Sequence, residues 1–446
     1  MTLIQKIKYQ LKGYLNKIHN EKVKINILQA IPFWTASIIT GLVAILYAKL
    51  FALAERGTSY ILHYHQSLIF LLTPICFMAS WWLVKRFSAY ARGSGIPQVM
   101  AAIELSTPKK NVIIDKLLSV KVIFVKVLSS LIMVFGGGAI GREGPTIQIA
   151  ATIFRKINSL LPAGWPKIAK KNMIMTGAAA GLAAAFNTPL GGIVFAIEEL
   201  TKTHISFFKT ALFSAVIIAG LTAQVIIGPH LYLGYPNAEG TSLYFFMALL
   251  IVAIVAGITA SIMCKIILKI FKWKKRFKIT AHHLFFLLGS SMIMAALAYF
   301  VDNCILGSGK ELITNTLFTS DKFVNWYTPI LRIIGPVLSF SSGAAGGIFA
   351  PALSAGASIG SFMAYLFGLL NGNANLLILS GMVAFLTGVT RSPFTSAILV
   401  LVMTDRHNVI FQLMLSGMIA SIVSLIIDKR SFYDHLKDQY LQELDV

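Results

Sequence analysis

The residues best suited to chemistry lie in Phe135-Gly-Gly-Gly-Ala-Ile-Gly141-Arg142-Glu143-Gly144-Pro145-Thr146. The stretch sits between apolar runs, where an ionisable side chain is costly and marks a functional position by default. Its glycines let the backbone bend and let other groups approach closely. Pro145 suits the first turn of a helix, because its missing N–H would have had no partner there. The N–H groups around it would then form a helix N-terminus with partial positive charge, which attracts an anion. Glu143 is a tethered anion at that end. It can occupy the site when ionised and vacate it when protonated, which is how a gated anion site would work. The motif alone equally allows a structural glutamate.

A second stretch, Gly93-Ser94-Gly95-Ile96-Pro97, places a hydroxyl and free N–H groups between two glycines, with a proline able to open a helix. An ordinary loop turn is the alternative. A third, Gly177 to Pro189, is rich in small residues and leads into the pair Glu198-Glu199. Such small-residue density suits close helix packing in lipid. Glu199 could move protons or simply face cytoplasmic water. Lys126 interrupts an apolar run and is expected to be one member of an ion pair. Arg142 could draw anions toward the site or point away from it. Cys76, Cys264 and Cys304 show no metal-ligand spacing, and the nine histidines form no His-Glu-x-x-His. No metal site and no cofactor are expected. An enzyme would need a convergent nucleophile and base at membrane depth, and Ser94 has no histidine in a motif near it.

These residues must be held by helices in a membrane. The chain has 446 residues, 56% hydrophobic and only 13% charged, against about 25% charged in soluble domains. The net charge of +22 gathers in short segments between apolar runs, such as Lys272-Trp-Lys-Lys-Arg-Phe-Lys278. That is the pattern of cytoplasmic loops rather than of nucleic-acid binding. Residues 1–29 read as an amphipathic cytoplasmic segment, and 30–428 as the transmembrane domain. Residues 429–446 read as a cytoplasmic C-terminal helix. Ile31–Ala54 and Leu68–Val84 are expected spans, and Thr176–Leu200 is a small-residue run that contains Asn187-Thr188-Pro189 and closes on Glu198-Glu199. Leu376–Leu386 is too short for a full crossing, so broken or re-entrant helices are expected.

The chain also repeats itself. Gly177 to Pro189 and Gly381 to Pro393 each run twelve residues from Gly to Pro. Pro145 precedes Pro189 by 44 residues, and Pro351 precedes Pro393 by 42. Gly93-Ser94-Gly95 and Gly307-Ser308-Gly309 stand upstream of each set. Three features recurring in order predict two structural repeats, and interrupted helices at matching places predict a transporter site near the midplane.

With Gly93-Ser94-Gly95-Ile96-Pro97, Gly141-Arg142-Glu143-Gly144-Pro145, Gly347-Ile348-Phe349-Ala350-Pro351 and the run Gly177 to Glu199 in this order, the chain resembles the CLC family of chloride channels and proton-coupled chloride transporters. The resemblance covers roughly residues 30 to 440. It implies an all-α polytopic fold of about eighteen helical pieces, with inverted-topology repeats at about 30–200 and 205–428. It implies a multi-pass protein of the cell membrane (the inner membrane in a Gram-negative bacterium), with both termini cytoplasmic. A homodimer with one pore per subunit is implied, and no CBS-type regulatory domains are expected. Chloride and protons would be its substrates, with chloride held by Ser94, the N–H groups of Ile348 and Phe349, and Tyr433. The last is placed from Lys429-Arg-Ser-Phe-Tyr433. Glu143 resembles the external gating glutamate, and Glu199 the internal proton-transfer glutamate. Proton-coupled exchange is the expected function, with a passive chloride channel as the alternative and a fluoride/proton exchanger or membrane-embedded enzyme more remote. The chain departs from the family pattern at Val402 and Met100, where relatives carry acidic residues.

Overall fold

The computed structural model describes residues 21–106, 111–162, 165–166, 168–201, 209–228, 233–238, 242–319 and 322–444. Residues 1–20 of the expected amphipathic segment lie outside this set. Apolar runs become helices here because lipid offers no partner to a backbone N–H or C=O. The first repeat comprises α1 (Glu21–Tyr64), α2 (Ile69–Phe87), α3 (Ile96–Glu104), α4 (Asn111–Leu117), α5 (Val120–Phe135), α6 (Glu143–Ser159), α7 (Lys170–Phe186) and α8 (Pro189–Phe195). A π-helical turn, Ala196–Thr201, follows α8. The second comprises α9 (Lys209–Ile227), α10 (Leu243–Lys274), α11 (Thr280–Phe300), α12 (Lys310–Phe318), α13 (Thr328–Ser341), α14 (Phe349–Leu366), α15 (Asn371–Thr390), α16 (Pro393–Thr404) and α17 (Ile410–Ile427). The helix α18 (Phe432–Glu443) ends the described chain. Eight of the described helical segments are long and apolar enough to cross a membrane.

The repeats match at their breaks. α3 and α12 each start after a Gly-Ser-Gly turn whose second glycine has positive φ, 104° at Gly95 and 82° at Gly309. α7 ends on Asn187 (φ 55°) and α15 on Arg391 (φ 64°), both left-handed, and each is followed by a proline two residues on. The run Thr176–Leu200 is therefore not one helix. A left-handed residue ends α7, and Pro189 restarts the chain as α8. In the other direction, α1 is a single helix of 44 residues, well beyond the expected span Ile31–Ala54. Leu376–Leu386 belongs to the 20-residue α15.

Each repeat is built on one close helix pair, α6 with α7 and α14 with α15. Glycines allow the approach. A Cβ on Gly181 would lie 2.6 Å from the Ala150 Cβ, and one on Gly381 would lie 2.3 Å from the Gly356 carbonyl oxygen. From Ala374 onward α15 is buried on all sides by α10, α14, α16 and α17, which is why its sequence is apolar around the whole circumference.

Candidate anion and proton site

The three glycine-rich segments that open α3, α6 and α14 converge at one place. Gly93 N donates to Ala344 O at 2.8 Å, and Gly346 N to Gly93 O at 3.1 Å. Gly141 and Gly347 exchange two bonds, of 2.8 and 2.7 Å. These short bridges fasten the first repeat to the second where irregular backbone would otherwise lack partners. The approach tolerates no side chain at Gly144, where a Cβ would stand 2.2 Å from Ser94 Oγ.

Glu143 is the first residue of α6 and is buried. Its carboxylate folds back over Gly141, where a Cβ would sit 2.3 Å from Glu143 Oε2 and 3.3 Å from Ala350 N. The acid thus lies at the junction of the α6 and α14 N-termini. Ile348 and Phe349 stand at the start of α14, where N–H groups have no intrahelical partner. Tyr433 reaches the same region from α18, its ring stacked on Phe349 at 6.2 Å. The Ser431 hydroxyl caps that helix by accepting from Asp434 N at 3.0 Å. Ser94 and Tyr433 are both buried, and neither hydroxyl has a hydrogen-bond partner among the described residues. Two buried hydroxyl donors and a helix N-terminus form a polar spot that can take a small dehydrated anion.

A cavity of about 420 Å³ leads to Ser94 and Gly93 and is lined by Lys85, Arg92, Lys274 and Lys275 among aromatic rings. Glu443 also lines it and is paired with Arg92. The remaining positive charge gives this approach a field that concentrates anions.

Glu199 lies in the π-helical turn, buried, and its Oε2 accepts the Ser392 hydroxyl at 2.6 Å. The reading in which it faces open water does not hold. Glu198 is committed elsewhere: it accepts from Phe394 N (3.2 Å), Thr395 N (2.6 Å) and Thr395 Oγ1 (2.7 Å), capping α16. Lys126 is fully buried but makes no ion pair among the described residues. Its Nζ donates to Gly93 O at 2.9 Å instead. Met100 is buried in α3, and Val402 packs against the core from α16.

Two residues were not legible as site components. Arg332 is fully buried and donates to the carbonyls of Cys304 (2.9 Å) and Leu306 (3.0 Å) and to Ser354 Oγ (2.9 Å). It precedes Gly347 by 15 residues, as Lys126 precedes Gly141. Each repeat therefore holds its Gly-Ser-Gly turn with a buried cation, and this spacing was the available signal. Ser392 stands where Thr188 stands in the first repeat, and a lone Ser-Pro pair gives no hint of a distant carboxylate.

Residues 75–425 match the family described as voltage gated chloride channel. The H(+)/Cl(-) exchange transporters ClcA of Salmonella typhi and Salmonella typhimurium are each 28% identical over 439 residues, 93% of this chain and 90% of theirs. The crystal structure of a slow cyanobacterial Cl-/H+ antiporter aligns with a TM-score of 0.81 at 24% identity, covering 94% of this chain and 99% of that one. A CLC-type fluoride/proton antiporter aligns with a TM-score of 0.75 at 20% identity, covering 92% and 98%. These structural likenesses establish the fold. With a family match over most of the length and relatives that are transporters rather than enzymes, the chain belongs to the voltage gated chloride channel (CLC) family, as a multi-pass membrane protein.

Proposed function

We propose that the protein exchanges chloride for protons across the membrane. The observation that carries the reading is a pair of buried carboxylates, Glu143 and Glu199, with the unpartnered hydroxyls of Ser94 and Tyr433 at the meeting of the repeats. In this reading chloride enters through the basic cavity and is held by those hydroxyls and by the N–H groups of Ile348 and Phe349. Ionised Glu143 competes with it for the field of the helix N-termini. Protonation removes that charge and lets the side chain leave, so an anion passes and the proton is carried with the gate. Glu199 takes up protons from the cytoplasm for that step. The chloride/proton exchangers among the relatives support this assignment over that of an uncoupled channel.

A direct test is Glu143→Ala in reconstituted vesicles. Chloride flux should persist, lose its dependence on external pH and move no protons. A variant that still moves protons with chloride would remove Glu143 from the role of gate.

We propose further that both termini are cytoplasmic, as the basic segments after α2 and α10 indicate, and that two copies associate. α8 with its π-helical turn, α9, α16 and α17 pack together and leave Leu190, Ile197, Leu221, Phe394 and Ile422 exposed. Phe195 of α8 is buried inside the subunit.

A further inference from the structure

At the N-terminus of α16 two side chains have exchanged their ordinary tasks. Ser392 is the N-cap, a position serine favours because its hydroxyl can accept from the second or third N–H of the helix. It makes no such bond. Its hydroxyl donates to Glu199 Oε2, and the helix is capped by Glu198 in its place. The Ser392 backbone is pinned on both sides. Its N–H donates to Thr390 Oγ1 at 3.2 Å, and its C=O accepts from Ser396 N at 3.0 Å and Ser396 Oγ at 2.8 Å. Thr188 occupies the same place in the first repeat, with φ, ψ of −130°, 84° against −118°, 79° for Ser392. The Thr188 hydroxyl is buried with no partner among the described residues. The bond to a carboxylate is thus a property of one repeat only, made by the second repeat onto the first.

We infer that Ser392 is the positioning residue of the inner proton acceptor: its hydroxyl fixes the Glu199 carboxylate at the seam of the two repeats and stabilises its ionised form. This rests on the exchanger reading above. A hydrogen bond donated to a carboxylate favours the charged state, so proton uptake must compete with the Ser392 hydroxyl. Among the described residues, several other charged or titratable groups stand near this seam. Glu198 shares the turn and is held by α16. Tyr433 of α18 lies within reach of the Glu199 charge. Lys170 and Lys171 open α7, the helix packed against the turn. Arg391 turns its guanidinium away, to the carbonyls of Gly388 and Ser424.

The experiment measures proton transport in vesicles while the pH on the cytoplasmic side is varied. In Ser392→Ala half-maximal proton transport should move to about tenfold lower proton concentration. Ser392→Cys, which keeps the side-chain size but donates weakly, should move the same way if Ser392→Ala does not fold. Ser392→Thr keeps the hydroxyl and should restore the original midpoint. An unshifted midpoint in both donor-deficient variants, with normal coupling in the unmodified protein, overturns the role of Ser392 and leaves the exchanger reading standing. An unmodified protein that moves no protons overturns the exchanger reading instead. Infrared titration of the carboxyl band that disappears in Glu199→Gln then decides the role of Ser392: a midpoint shifted by Ser392→Ala supports it, and an unshifted one ends it.

Discussion

A carboxylate at a helix N-terminus competes with any free anion for the same field, and Glu143 is placed for that competition. The second carboxylate differs, because Glu199 is held by a hydroxyl rather than by a helix end. Replacing Glu199 by Gln should stop proton movement while chloride still passes, measured as separate chloride and pH traces in one vesicle preparation. Intact proton coupling in that variant would mean another group delivers the proton. Glu198 would be an unsuitable candidate, since its oxygens are committed to the α16 N-terminus. At Ser94, substitution by Pro removes a buried hydroxyl donor from the path. The nitrate-to-chloride flux ratio should rise several-fold, because the less strongly hydrated ion depends less on that donor; an unchanged ratio would take Ser94 out of the selectivity site. Glu143 and Ser94 were legible because glycine and proline surround them in short motifs. The partners of Lys126 and Glu199 were not, since a carbonyl or a hydroxyl far along the chain leaves no pattern in sequence.

Between residue and molecule, the working units are two matched helix pairs. Gly381 meets the Gly356 carbonyl so closely that Gly381→Ala must push α14 and α15 apart. Overpacking of this kind costs about 1–3 kcal/mol, or more where both partners are backbone. The detergent melting temperature should fall by several degrees, whereas an unchanged melt would show that the pair can give way. Arg332 anchors the second Gly-Ser-Gly turn, and Arg332→Met would leave the carbonyls of Cys304, Leu306 and Gly307 and the buried Ser354 hydroxyl without their donor. A loss on the order of 3 kcal/mol follows, read as reduced thermal stability and yield; a variant as stable as the original would contradict the anchor. The breaks that separate these helices were visible as runs from Gly to Pro. The length of α15 was not, because Asn371, Asn373 and Asn375 make its first turn look like loop, and continuous burial begins only at Ala374.

Taken whole, the molecule has two repeats stitched at Gly93–Ala345 and Gly141–Gly347, with carboxylates on separate elements about that seam. The repeat was readable from spacing alone. The exposed apolar side chains on α8, α9, α16 and α17 should be covered by a second copy, and native mass measurement in mild detergent should give twice the monomer mass. A fully active monomer would contradict that assembly. The central claim, coupling of chloride to protons, is tested most directly in vesicles holding the unmodified protein, with a chloride gradient and no initial proton gradient. Chloride moving down its gradient should drive protons uphill in the opposite direction, seen as a pH change that a protonophore collapses. Chloride flow of comparable size with no uphill proton movement would contradict exchange and make the protein a passive chloride channel.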